Sequence, residues 1–202
     1  MVKNLVEEYV EWINRPITRK FIYIQVDTVY VKVKKLSNTR LGIMIAIGID
    51  ESGYKEVLYF QIGTEKTIQS DKLFQNLIRR GLDVDAVQLV TTDGARGPIN
   101  SIISLFGEEK LQRCVVHKTE NILKRCPQNI KAEMKAKLQR LWNCETHLEA
   151  QQYIELLCKE YELIAPKAIA CLLSDKDYLF KYLSFPMEHR KSIRNTNLIE
   201  RV

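Results

Sequence analysis

The apolar positions of this chain change period several times, and each change marks an element. Val2, Leu5, Val6, Tyr9, Val10 and Ile13 recur at helical spacing, so an amphipathic helix opens the chain and Pro16 closes it. Residues 21–34 are dense in Val, Ile, Tyr and Phe, the composition of a long strand. Ser37-Asn38 supplies a turn and Leu41–Ile49 a second strand. Asp50-Glu51-Ser52-Gly53 reads as a hairpin loop, because Asp and Gly reach the backbone conformations a tight reversal needs, and residues 55–62 follow as a third strand. Helical spacing returns at Ile68, Leu73, Phe74, Leu77 and Ile78 and stops at Gly81, where a C-terminal glycine belongs. Ala86–Thr92 is a short buried strand, a helix runs from Pro98 to Phe106, and Gln112–Val116 is a fifth strand. From 118 to 185 the pattern is helical, broken near Pro127, Glu145, Pro166 and Asp175; a last helix starts after Phe185-Pro186 and runs to Val202. A three-strand meander followed by alternating helices and strands predicts an α/β fold, a mixed five-stranded sheet flanked by helices.

Composition narrows the function classes. The length of 202 residues suits one domain, or one domain carrying an insertion. With 46% apolar and 28% charged residues the chain has the means to bury a core, which excludes a disordered segment. No apolar run approaches the roughly 18 residues of a membrane helix. Residues 1–14 carry three acids and no small-residue cleavage site, so they are not a signal peptide. Without an export signal, Cys114, Cys126, Cys144, Cys158 and Cys171 read as reduced thiols and the expected location is the cytoplasm. A net charge of +6 points toward a polyanionic partner. The charge is segregated: residues 118–142 hold seven Lys/Arg and two Glu, whereas 143–165 hold one Lys and five Glu. Solvated helix faces account for this, and so does a basic half lying along nucleic acid.

Three acids stand out. Asp27 interrupts the apolar strand Tyr23-Ile24-Gln25-Val26-Asp27-Thr28-Val29-Tyr30-Val31. An ionised carboxylate there is costly unless a salt bridge, exposure on an open sheet face or a metal ion compensates it. Asp93 follows the strand Ala86–Thr92, at the carboxyl end where α/β sheets build their sites; a turn or helix-capping aspartate is the plainer reading. Glu200 sits in Arg194-Asn195-Thr196-Asn197-Leu198-Ile199-Glu200, one helical turn after Asn197, where a surface glutamate is the default. Taken together, two strand-associated aspartates and a helical glutamate are an oxygen-donor set of the kind Mg²⁺ takes. Two such ions serve to activate an attacking oxygen and stabilise a leaving one.

In this order along the chain, Trp12-Ile13-Asn14-Arg15-Pro16-Ile17, Val26-Asp27-Thr28-Val29-Tyr30-Val31-Lys32-Val33, Ala46-Ile47-Gly48-Ile49-Asp50, Thr92-Asp93-Gly94, Gln112-Arg113-Cys114-Val115-Val116-His117-Lys118 and Asn195-Thr196-Asn197-Leu198-Ile199-Glu200 span nearly its whole length. The ordered set resembles the catalytic region of mutator-type insertion-sequence transposases. The resemblance implies a ribonuclease H-like core in which Asp27, Asp93 and Glu200 bind two Mg²⁺ or Mn²⁺ ions. It implies that a lead-in helix (1–18) precedes the core strands (19–117), that a helical insertion (118–185) interrupts the core, and that the last core helix (186–202) carries the third acid. The implied chemistry is hydrolysis at transposon ends and joining of the freed 3′ hydroxyl to target DNA, without a covalent protein–DNA intermediate. Double-stranded DNA is then the partner, a homodimer or higher assembly on paired ends the working form, and the nucleoid the place of action.

Supporting residues follow. Cys114 and His117 form a family signature, and Cys144-Glu145-Thr146-His147 repeats its spacing. Two such pairs could serve a tetrahedral Zn²⁺, but their separation favours a supporting role. Lys32, Lys34, Lys35 and Arg40 cluster at the first hairpin, and Arg190, Lys191, Arg194 and Arg201 surround the last helix. Near a phosphodiester site such cations hold the backbone. Arg113, Lys118 and Arg194 adjoin family motifs and are candidates for DNA contact or support, and Asn197 for orienting the Glu200 carboxylate or a phosphate. No nucleophile elbow and no phosphate-binding loop occurs, so acyl transfer and nucleotide hydrolysis are not indicated. A complete member of the family would carry a helix-turn-helix region before the core to read inverted repeats, and this chain stops two residues after Glu200. A catalytically inactive DNA-binding or dimerisation fragment, and a nuclease that cuts without joining, are therefore the rival expectations.

Overall fold

A computed structural model describes residues 2–32, 40–64 and 67–199. The Ser37-Asn38 turn, Lys34, Lys35, Glu200 and Arg201 lie outside the described residues. The chain divides into two compact units, the first comprising residues 1–111 and 196–202 and the second 112–195.

The first unit opens with helix α1 (Val2–Asn14) and the strands β1 (Tyr23–Lys32), β2 (Arg40–Ile49) and β3 (Lys55–Gly63). Helix α2 (Ser70–Arg79), strand β4 (Leu89–Thr92) and helix α3 (Arg96–Phe106) follow, and strand β5 (Leu111–Arg113) starts at Leu111, where the first stretch of this unit ends. The sheet order is β3-β2-β1-β4-β5, a mixed five-stranded sheet: β1 pairs antiparallel with β2 and parallel with β4. The expected sheet is thus present, although β4 is shorter than the apolar run 86–92 and β5 ends before Val115. Central β1 is buried from Tyr23 to Asp27, because both faces of a central strand are covered; Val26 and Ile24 are fully enclosed. Gly48 is required where β2 passes the Phe21 ring: a Cβ there would meet that ring and Leu58 at 2.7 Å. Gly53 takes φ +82° in the predicted hairpin loop, and the Asp50 carboxylate accepts from the backbone N–H of Ser52 and of Tyr54, both at 2.9 Å.

The second unit is helical: α4 (Val115–Leu123), α5 (Lys131–Trp142), α6 (His147–Tyr161), α7 (Pro166–Leu173) and α8 (Met187–Ile193), with short 3₁₀ turns between them. The breaks fall near the four positions the sequence marked. Pro166 takes the first position of α7, where its missing N–H is harmless. Leu138 and Leu157, one on each of α5 and α6, are buried, as are Ala168 and Leu172 of α7.

Two expectations are corrected. Val115 and Val116, expected at the end of the fifth strand, instead open α4, with Cys114 as its N-cap residue. The continuous helix expected from Pro186 to Val202 is interrupted: α8 ends at Ile193, and residues 195 and 196 are outside any helix. The Asn195 amide donates to the Lys191 carbonyl at 2.8 Å, competing for the backbone as short polar side chains do.

Candidate active site

The first acid is placed by the sheet. Val26 of β1 is the register partner of Thr92, the last residue of the parallel β4, so Asp27 on β1 and Asp93 just past the end of β4 are the residues that follow this pair. Residues 66 apart in sequence thereby become neighbours in the fold, which no periodicity in either segment reports. Asp27 is 4% exposed. Its Oδ1 accepts from the Thr28 backbone N–H at 2.7 Å and its Oδ2 from the Thr196 hydroxyl at 2.5 Å. The burial cost noted for this residue is therefore met in part by hydrogen bonds. Asp93 is half-buried at the carboxyl end of β4; its Oδ1 accepts from the Ala95 N–H at 3.0 Å, and Gly94 takes φ +94° to make the turn. This turn role is compatible with a ligand role, since one carboxylate offers more lone pairs than a single N–H uses. Glu200 lies outside the described residues, and among those described no group of three or more His, Cys, Asp and Glu is gathered for a metal ion.

The supporting residues divide differently from their order in the sequence. Arg113 and Lys118 are 3% and 1% exposed. Both point at Asp175, Arg113 Nε at 3.2 Å and Lys118 Nζ at 2.8 Å, and Lys118 also donates to Ser174 Oγ at 3.1 Å. Burial works to raise the Asp175 carboxyl, but the Lys118 hydrogen bond and the charges of Lys118 and Arg113 outweigh it and hold the group below its ordinary value. These two cations form an internal ion-pair cluster of the second unit rather than a surface strip. Asp175 was missed as a partner because the sequence shows it only as a helix break.

Arg194 is likewise committed: its guanidinium donates to the Trp142 carbonyl and, at 3.1 Å, to Asn143 Oδ1. The Tyr182 hydroxyl reaches the same Trp142 carbonyl at 2.8 Å, so the end of α5 is capped twice. Arg190 spends its donors on the carbonyls of Phe185, Leu183 and Glu145. Lys191 is exposed. The basic and acidic halves of the helical region also meet in part: Lys137 of α5 binds Glu160 of α6 at 2.6 Å, and the Tyr161 hydroxyl donates to Glu133 at 2.5 Å.

Cys114 is fully buried and His117 half-buried on the first turn of α4. The second pair does not mirror the first. Burial, reinforced by the Glu149 charge, pushes the Cys144 thiol up to about 11, and His147 Nε2 lies 3.2 Å from Ser184 Oγ. Asn197 is half-buried in the turn after Thr196. Thr196 is the functional candidate that sequence reasoning passed over: it is fully buried and bonded to Asp27 across 169 residues. Its only signal was membership of the Asn195-Thr196-Asn197 run.

All of residues 1–202 match the family described as Transposase, Mutator family. The chain belongs to the Mutator family of transposases. Among curated relatives, the transposase for insertion sequence element IST2 of Acidithiobacillus ferrooxidans is 32% identical over 96% of this chain and 66% of its own length. The transposase for insertion sequence element IS6120 of Mycolicibacterium smegmatis is 29% identical over 89% of this chain and 55% of its own length. The Mutator-family segment described here thus spans between about half and two thirds of those relatives. A chain of the simian T-cell lymphotropic virus intasome in complex with PP2A regulatory subunit B56 gamma aligns at 12% identity over 89% of this chain and 50% of that one, with a TM-score of 0.29, too slight to bear on function.

Proposed function

We propose that this chain is the catalytic domain of a DNA transposase, with Asp27, Asp93 and Glu200 as the acids that hold two Mg²⁺ or Mn²⁺ ions for phosphodiester hydrolysis and strand transfer. The observation that carries this reading is the β1–β4 register, which sets a buried mid-strand aspartate beside a strand-end aspartate in a chain of the Mutator family. The donor chemistry fits: carboxylate oxygens are the ligands hard divalent cations take, and a carboxylate offers more acceptor sites than one N–H or O–H fills. When bound, the ions would polarise the phosphodiester and lower the cost of charge on the attacking and leaving oxygens.

The chain's own part is positioning. Asp27 is fixed from both of its oxygens, so little conformational freedom remains to be lost when it engages a ligand. Asp93 is the more open of the two and is set on a turn, where its carboxylate would be the more accessible to a backbone phosphate. Arg113, Lys118 and Cys114 support the helical unit from within, and His117, half-buried at the start of α4, keeps its supporting or DNA-positioning role. Double-stranded DNA is the substrate, a homodimer or higher assembly on paired ends the working form, and the bacterial cytoplasm the site of action.

The test is divalent-metal-dependent joining of a precleaved transposon end to target DNA, the end sequence taken from the inverted repeats flanking the reading frame. Joining that disappears in Asp27→Asn and in Glu200→Gln is the expected result. DNA binding without any chemistry would identify an inactive fragment instead, and cleavage without joining a nuclease.

A further inference from the structure

The hydroxyl of Thr196 has no place in the chemistry proposed above, yet it makes a buried contact at the centre of the first unit. Thr196 and Asp27 are 0% and 4% exposed. The Thr196 hydroxyl donates to Asp27 Oδ2 at 2.5 Å, and a hydroxyl bonded to an ionised carboxylate makes a bond roughly twice as strong as one to a neutral acceptor. On the other oxygen, the Thr28 N–H holds Oδ1 at 2.7 Å. Two donors on opposite oxygens fix its plane.

Thr196 is also where the chain re-enters the first unit after the helical one. Its carbonyl accepts from the Ile199 N–H at 2.9 Å, closing a turn whose last residue, Ile199, is 2% exposed. Glu200 is the next residue in sequence. A single side chain therefore joins the strand carrying the first acid to the segment leading to the third. A structural threonine has no need of this partner, since a buried hydroxyl can be satisfied by a nearby carbonyl, and threonine in a core otherwise offers little over valine.

We infer that Thr196 is a positioning residue for cation binding: its hydroxyl orients the Asp27 carboxylate, so that loss of this one O–H weakens binding of a divalent cation without unfolding the apoprotein. The inference rests on the assignment of Asp27 as a metal ligand. Partners in this outer position are usually worth 10–100-fold in metal affinity when removed. The expected change for Thr196→Val, which keeps the volume and removes the donor, is Mn²⁺ binding weakened about 10-fold. Thr196→Ser keeps the donor and should bind as the unaltered chain does.

The measurement is direct titration with Mn²⁺ alone, following the free ion by electron paramagnetic resonance, beside thermal unfolding of each apoprotein. Weaker binding in Thr196→Val, recovery in Thr196→Ser and similar apoprotein unfolding together support the role. Should Thr196→Val not fold, Thr196→Cys takes its place, being of similar size with only a weak S–H donor, and the same weakening is expected. Equal Mn²⁺ binding by Thr196→Val, or by Thr196→Cys in its stead, while Asp27→Asn loses it, overturns the role of Thr196 and leaves the metal assignment standing. Equal binding by Asp27→Asn and the unaltered chain overturns the metal assignment itself.

Discussion

Two aspartates, one in the proposed site and one outside it, stand in different surroundings, and their substitutions should separate accordingly. Asp93 is half-buried, and Asn would retain an acceptor for the Ala95 N–H. Asp93→Asn is therefore expected to abolish strand joining while changing unfolding free energy by less than about 0.5 kcal/mol, read from urea denaturation. Asp175 behaves in the opposite way. It has no part in the proposed chemistry, but its removal strips the carboxylate from two buried cations, Arg113 and Lys118. Breaking a buried pair from one side costs about 3 kcal/mol, and Asp175→Asn should lose that much stability. The pH dependence follows from the lowered carboxyl of Asp175. A group whose folded pKa lies below its unfolded value, about 3.9, contributes fully above that value and loses the contribution as pH falls through the folded pKa. The stability gap between the unaltered chain and Asp175→Asn should be constant near neutrality and close below about pH 4. A gap that persisted in acid would assign the stabilisation to packing instead.

Among the elements, α8 matters less for its length than for the guanidinium just beyond its end. Arg194 and Tyr182 converge on the Trp142 carbonyl, tying α8 and the 3₁₀ turn before it to the end of α5. A charge-assisted bond of this kind contributes about 1.5–3 kcal/mol. Arg194→Ala should lower the stability of the helical unit by about that amount, and the salt slope of DNA binding should stay unchanged. A phosphate contact would instead reduce that slope by about one. The α5–α6 ion pair is worth less. A hydrogen bond to Glu160 raises the Lys137 ammonium above its usual value, but both side chains are partly exposed, at 27% and 45%. Lys137→Met is expected to cost under about 1 kcal/mol in the same denaturation assay.

For the whole molecule, the relevant quantity is the coupling of fold to cation. Clustered carboxylates repel one another when no cation is bound, so a divalent ion that binds only the folded chain stabilises it. At 100 times its dissociation constant the gain is about 2.7 kcal/mol. Millimolar Mn²⁺ should raise the melting temperature of the unaltered chain and leave that of Asp27→Asn nearly unchanged; a melting temperature insensitive to Mn²⁺ in both would contradict the proposed site. The net charge of +6 acts at this scale too: if DNA is the partner, affinity should be salt-sensitive and should not depend on any single basic residue.

Local chemistry wrote most of the elements directly into the chain. Runs dense in β-branched and aromatic residues gave β1 to β3, the Asp50–Gly53 loop gave the β2–β3 hairpin, and prolines and polar breaks divided the helices, because each of these signals is carried by residues a few positions apart. The order of motifs along the chain carried the family as well. What stayed hidden was every partnership between distant residues. Arg113 and Lys118 looked like surface cations until the turn at Asp175 met them, and the last helix looked continuous until Asn195 and Thr196 turned away from it. The same holds for the hydroxyl that holds Asp27: a hydrogen bond spanning 169 residues leaves no periodic trace, since it depends on where the folded backbone brings its two ends, and only the tertiary structure decides that.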